Sequence, residues 1–344
     1  MVGSITLAMA VSSALPPSNL TQTLFPQLLT ASTSALRLDS RSPNDVLSTS
    51  IQYSPSQRGT STLTLRSPYS LSSRTSVQCS IHAELVEPRQ DRPYEGQVNV
   101  HLQAGLALST SNASRSSGNA EAYVADLERQ LDLALRRSGL IDREALCLKA
   151  GQLVWNVSIH SHLHAVEAGN ALAACVLAAS LSLADYRRRD ATVEQGGRIK
   201  VYDEGERVTI PLPLTGTLVA IEVAVFLPAA AAPSSKTAPP AKDSMDTDDA
   251  QDATSTTTAD SVSSPIMLVD PTPLEVQLSS ALLTFVLTPN TGQFLVSEKV
   301  GREPVDADVM IRAMKLAEGR AKAIGKWQES QKVRRDEQMG KEVR

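Results

Sequence analysis

Apolar and polar residues alternate along Ser48–Tyr53, Ser61–Leu65, Ser76–Val86 and Gln97–Leu102, each run bounded by Pro, Gly or Ser clusters. This period-two pattern, rich in β-branched residues, predicts four strands of an antiparallel or mixed sheet. The period then changes. Val124, Leu127, Leu131, Ala134 and Leu135 recur at helical spacing opposite Glu128, Arg129, Asp132 and Arg136. A helix is therefore predicted over Ala120–Ser138, stopped by Gly139. A strand at Leu153–Val166 is followed by a helix at Asn170–Leu183 that is apolar nearly all round. Such a helix belongs between a sheet and another element. Ile199–Tyr202, Val208–Pro211, Val219–Phe226, Ile266–Val269 and Ala281–Leu287 read as further strands. Val309, Ala313, Leu316, Ala317, Arg320 and Ile324 mark an amphipathic helix over Asp306–Gln338, and a short helix is expected at Leu24–Leu36.

Between these elements the pattern breaks. Residues 1–35 are expected to be disordered or loosely attached, and 104–118 reads as a loop. Residues 227–265 are rich in Ala, Pro, Ser, Thr and Asp. They offer too little apolar area to offset their ordering entropy, and are expected to form a disordered acidic insertion. Strand-like sequence resumes directly after it, and closing a longer loop adds little entropy cost. One domain, 36–226 with 266–326, is therefore expected, followed by a charged tail at 327–344.

Composition narrows the function. Of the 344 residues 42% are hydrophobic and 20% charged, as in an ordinary soluble chain, but only 3% are aromatic. That excludes a single-strand binder built on base stacking. The net charge of −4 is unevenly placed, with Asp243, Asp246, Asp248, Asp249 and Asp252 in the insertion. Lys326, Lys332, Arg334, Arg335, Lys341 and Arg344 crowd the last nineteen residues. The body between is near neutral with local basic patches. Cys79, Cys147 and Cys175 show no CxxC spacing, so buried thiols in a reducing compartment are expected, not a disulfide framework or a zinc site. No apolar run suits a membrane span. Ile5–Leu15 is mildly apolar, but no basic residue precedes Arg37, so neither a secretory signal nor a mitochondrial presequence is expected.

Three groups invite a chemical reading. His160, His162 and His164 share one face of a strand. Their outer pair lies about 13 Å apart at the usual rise, so one metal cannot take all three without a bulge, and no metal site is expected. Gly169-Asn170 reads as a turn with a helix N-cap, and Gly196-Gly197 as a turn before a strand; neither forms a nucleotide motif. Asp270 and Glu275, around Pro271-Thr272-Pro273, suit either a metal near a phosphate or, preferably, a turn in which Asp270 caps its own backbone. No Ser-His-Asp or Cys-His arrangement stands out, and no cofactor is expected.

Several segments together resemble the ribonuclease PH family, in particular the non-catalytic ring subunits of the RNA exosome. Arg37-Leu38-Asp39-Ser40-Arg41 looks like the family's Arg-x-Asp-Gly-Arg, with Ser40 for Gly. Cys79–Gly96, Leu140–Trp155, Asn170–Leu183 and Leu268–Val286 are similar to further family segments. Ser117–Ala122 and Asp270–Thr272 point to one of three inactive paralogues. The resemblance implies an α+β fold, ribonuclease PH-like (ribosomal protein S5 domain 2-like), with duplicated β-α units whose sheets are backed by helices. It implies a ring with other ribonuclease PH-like subunits, S1/KH-type cap subunits above it, and RNA in the central channel. Location in nucleus and nucleolus, and also cytoplasm, would follow.

Active members are phosphorolytic 3′-to-5′ exonucleases. The resemblance places their phosphate-binding Arg at Asn119, their catalytic Asp at Leu282 and a second acid at Val276. Asn lacks the charged fork that captures phosphate. An inactive homologue is therefore expected, supporting RNA processing and turnover, including maturation of ribosomal RNA. RNA contact would be electrostatic, with Arg89 and Arg92 as the candidates. The competing expectations are an active phosphorolytic exonuclease and an unrelated β-rich binding module.

Overall fold

The computed structural model describes residues 37, 39–69, 73–105, 119–194, 198–203, 205–227, 265–301 and 303–342. The expected helix at Leu24–Leu36, most of the 104–118 loop, the Gly196-Gly197 turn and nearly all of the insertion lie outside the described residues.

The first sheet follows from the alternation. Strands β1 (Ser48–Tyr53), β2 (Thr60–Arg66), β3 (Arg74–Val86), β4 (Gln97–Ala104), β5 (Cys147–Lys149) and β6 (Leu153–Val166) run in the order β1-β2-β3-β6-β4, with β5 on β6. β4 pairs parallel to β6, whereas β1–β2, β2–β3 and β3–β6 are antiparallel. Its inner face buries Leu63, Val77, Cys79, Ile81, Val157, Ile159 and Leu163. Helices α1 (Asn119–Arg137) and α2 (Ala171–Asp185) form with it. Alanines and other small residues let α2 pack closely on β2, β3 and β6 as well as on the second sheet.

Short strands β7 (Arg187–Arg188), β8 (Ala191–Val193), β9 (Ile199–Val201) and β10 (Ile210–Pro211) form two small ribbons, β10-β7 and β8-β9. The second sheet holds β11 (Val219–Phe226), β12 (Ile266–Val269), β13 (Ala281–Leu287) and β14 (Phe294–Gly301), antiparallel in the order β12-β11-β13-β14. A short helix, α3 (Pro273–Leu278), links β12 to β13, and α4 (Ala307–Glu342) packs on β11, β12 and β13. One apolar cluster runs through both sheets and through α1, α2 and α4. Helices of 19 and 15 residues integral to the core exclude the β-rich binding module.

Three expectations change. Ile199–Tyr202 and Val208–Pro211 shrink to short pairings, because residues 205–208 face solvent. β14 lacks the expected signature because it is an edge strand whose Ser297, Lys299 and Val300 are exposed. The charged tail is not a tail. α4 continues to Glu342, with Gln328 and Arg335 buried. The Gln328 Nε2 donates to the Leu218 carbonyl at 3.2 Å, and Arg335 Nε to Asp185 at 3.1 Å. Among the thiols, Cys79 and Cys175 are buried and Cys147 is only half-buried.

Candidate functional site

The segment before β1 carries two arginines whose side chains are fully buried. Burial of a guanidinium is tolerable only where charge and donors are matched. Arg37 meets Glu275 with two bonds, Nε at 3.0 Å and Nη2 at 2.6 Å, and donates to the Val269 and Asp270 carbonyls. Arg41 pairs with Asp39 and donates to the Asp270 carbonyl at 2.9 Å. Glu275 also closes a capping box with Thr272, whose hydroxyl accepts from the Glu275 amide. The Arg-x-Asp-x-Arg segment thus clamps the β12–α3 corner of the second sheet to the start of the first. Ser40 has φ 64°, the left-handed region that glycine occupies without cost, which explains the glycine of the resembled motif.

Asp270 does not cap its own backbone. Its carboxylate accepts from the Leu47 amide at 3.2 Å and from Asn170 Nδ2 at 2.6 Å, with Arg320 at 3.6 Å. Asn170 precedes α2 but makes no side-chain cap; its amide is committed to Asp270. Neither role was legible, because the partners lie 100 or more residues away. Beside them Glu222 is buried, and that burial, with the Asp270 charge, pushes its carboxyl up to about 7. Asp270 and Glu275 therefore serve as structural carboxylates. Among the described residues no group of three or more His, Cys, Asp or Glu is disposed to hold a metal ion.

The positions assigned to catalysis by resemblance lie elsewhere on the second sheet. Leu282 stands opposite Ala224 on β11 and Val300 on β14, so its strand neighbours are apolar. Ala224, Leu268 and Leu278 form a small apolar cluster with Leu274. Val276 is half-buried on α3. Asn119 begins α1, and further along that helix Arg129 reaches Glu298 of β14 at 3.5 Å. Gly118 lies outside the described residues. Neither Leu282 nor Val276 carries a group that could be charged, and transition-state charge is stabilised by charged or strongly dipolar groups. Among the described residues, two cavities of about 20 and 80 Å³ are each too small for a nucleotide.

Arg89 and Arg92 are exposed in the loop joining β3 to β4, where the Arg92 amide donates to the Arg89 carbonyl. Arg92 is part-neutralised by Glu95 at 3.1 Å. The histidine face forms as expected, and a β-bulge lies beside His164. Yet His160 meets His101 and His82 of the flanking strands, not its own neighbours.

The topology has clear counterparts. The structure titled "Archaeal exosome core" superposes with a TM-score of 0.58 at 16% identity, covering 91% of this chain and all of that one. A second, titled as an Archaeoglobus fulgidus exosome with RNA bound to the active site, gives 0.60 at 16% identity over 89% of this chain and 98% of that one. Residues 47–189 match the RNase_PH profile, described as the 3′ exoribonuclease family, domain 1. The fold is that of ribonuclease PH.

Among relatives of this ribonuclease PH-like chain, Exosome complex component RRP45B of Arabidopsis thaliana is 27% identical over 86% of the chain and 57% of its own length. RRP45A of the same plant is 26% identical over 85% of the chain and 80% of its own length. RRP45 of Danio rerio is 34% identical over 45% of the chain and 38% of its own length. The chain thus spans little more than half of the first of these relatives. Ser117–Ala122 and Asp270–Thr272 look most like ribosomal RNA-processing protein 43, but these relatives are RRP45 components, and placement as 43 is not supported. The Asp270-Pro271-Thr272 turn is dictated by the left-handed Asp270 and the Thr272 cap, so it reports the fold more than the paralogue.

Proposed function

We propose that this chain is a non-catalytic structural subunit of an RNA exosome ring, at the place of an RRP45 component. The observation that carries the reading is the apolar setting of Leu282, where a phosphorolytic enzyme needs an ionised carboxylate. The names of the relatives supply the assembly. The chain would pack beside other ribonuclease PH-like subunits, under S1/KH-type cap subunits, around a channel that RNA enters. Its work would be support of 3′-to-5′ RNA processing and decay, including ribosomal RNA maturation, in nucleus, nucleolus and cytoplasm. RNA contact would be electrostatic and sequence-independent, with Arg89 and Arg92 as its candidates.

Two measurements test this. Affinity purification of the tagged chain, with mass spectrometry, should return ribonuclease PH-like paralogues and cap subunits in equal amounts. The purified chain, given RNA, magnesium and inorganic phosphate, should release no nucleoside diphosphate. Release of diphosphate would establish the competing reading, an active exonuclease, and recovery of the chain without ring paralogues would refute the assembly.

A further inference from the structure

Tyr94 is the most exposed of the described tyrosine, phenylalanine and tryptophan side chains, at 67%. It stands in the loop between β3 and β4 that also carries Arg89 and Arg92. Among the described residues its ring and hydroxyl make no hydrogen bond, ring stack or cation contact.

The loop holds that ring out on a fixed frame. Two successive turns form it, closed by the Arg92 amide on the Arg89 carbonyl at 3.0 Å and the Glu95 amide on the Arg92 carbonyl at 3.4 Å. Pro93 takes the second position of the latter turn, where its ring pre-sets the backbone, and Tyr94 takes the third. Both flanks of Tyr94 are tied to the chain around β5. The Pro93 carbonyl accepts from the Gly151 amide at 3.0 Å, and the Gly96 amide donates to the Arg143 carbonyl at 2.8 Å. A side chain at Gly96 would meet Leu146 and the Trp155 carbonyl, so the loop is seated closely there. A ring presented on backbone already ordered loses little freedom when a ligand lands on it.

The charges around it bear on what lands. Across 87–95, Arg89 and Arg92 stand against Glu87, Asp91 and Glu95, and Arg92 is paired with Glu95 at 3.1 Å. Such a loop gives a polyanion only local attraction, so a strand passing there is held better by a contact that does not depend on net charge. A base offers one, because every base has a flat π-face that an aromatic side chain can hold. We infer that Tyr94 is a stacking platform for one base of single-stranded RNA, with Arg89 as the cation that meets the adjoining phosphate. This rests on the ring-subunit reading, which brings RNA to the chain, and adds to it a contact with the base that tolerates any sequence. One tyrosine does not make a binder built on stacking, which the scarcity of aromatics excludes; it makes a single station on the strand's path.

The test is fluorescence anisotropy of a labelled, unstructured oligoribonucleotide on the affinity-purified full chain with the subunits that accompany it, magnesium being chelated. Tyr94→Ala should weaken binding about fivefold or more, the worth of one stacked base. Tyr94→Phe, which keeps the ring, should bind as wild type. Tyr94→Ala should leave the salt dependence of affinity unchanged, whereas Arg89→Gln should lower its slope by about 0.7, one phosphate of a single strand. An abasic oligomer of the same length should bind wild type and Tyr94→Ala equally. The inference is overturned if wild type binds no RNA, if Tyr94→Ala binds as wild type, or if Tyr94→Phe is as weak as Tyr94→Ala. It is also overturned if the difference persists on abasic RNA, if Arg89→Gln leaves the slope unchanged, or if Tyr94→Ala sheds subunits that wild type retains, which would make Tyr94 a contact between proteins. Mass spectrometry of the same preparation reports on the ring-subunit reading separately. Absence of ring paralogues from the wild-type preparation refutes that reading, and the comparison of variants still decides Tyr94.

Discussion

The Asn170 side-chain amide donates to the Asp270 carboxylate at 2.6 Å, and both residues hold left-handed backbone, φ 54° and 53°. Two turns from opposite halves of the chain are thereby locked to each other at the N-terminus of α2. Each turn costs strain that Gly would avoid, and the charge-assisted bond offsets it. Asn170→Gly keeps the backbone and loses the bond, worth about 1.5–3 kcal/mol. Asn170→Ala loses the bond and adds strain of about 1–2 kcal/mol. Urea denaturation should rank wild type above Gly and Gly above Ala; equal midpoints for the two variants would show that the left-handed backbone is not maintained.

Ser40 presents the opposite case, a left-handed residue in the arginine clamp without such a partner of its own among the side-chain bonds described. Ser40→Gly should stabilise the chain by about 1 kcal/mol, read as a rise in denaturation midpoint at unchanged slope.

Glu222 gives stability a pH dependence of defined sign. Its folded pKa, about 7, lies above the ordinary 4.5. The native state therefore binds the extra proton between those values, and stability falls as pH rises from 4.5 through 7. Its contribution is fully present below pH 4.5 and lost above 7, a change of about 3 kcal/mol. Glu222→Gln should remove this slope, measured by urea melts at pH 5.5 and 8.

Deleting 327–344 removes Gln328 and Arg335 from buried positions and leaves Asp185, itself buried, without its cation. Breaking a buried pair from one side costs about 3–5 kcal/mol. A marked drop in melting temperature is expected, whereas a solvated tail could be removed without effect.

Arg89→Glu with Arg92→Glu reverses charge at two exposed positions of the loop between β3 and β4. Within the assembled complex this should shorten the RNA segment protected from nuclease and leave subunit stoichiometry intact. Unchanged protection would remove both residues from the RNA path.

Much of the fold was legible because burial is one-sided. β1, β6, β11, β12 and β13 begin and end where alternation or apolar runs said they would. β14 escaped because an edge strand exposes polar groups on both faces. The charged end of the C-terminal helix was read as a solvated tail because Arg335 looks like solvent-facing charge until Asp185 is known to lie beneath it. The site was harder. The purpose of Asp270 and Glu275 depends on Arg37, Arg41 and Asn170, and no local pattern connects them. The histidine cluster failed for the same reason: periodicity along β6 groups His160 with His162, while strand pairing groups it with His101.

The arginine clamp also bears on synthesis. Arg37 leaves the ribosome 238 residues ahead of Glu275. At translation speeds of about 5–20 residues per second the interval is about 10–50 seconds. Throughout it Arg37 has only the neighbouring Asp39 and lacks Glu275, which accepts two of its bonds in the interior, so the nascent amino-terminal segment stays hydrated. The first sheet can assemble in that time, but its attachment to the amino-terminal strand of chain must wait for the last third of the polypeptide.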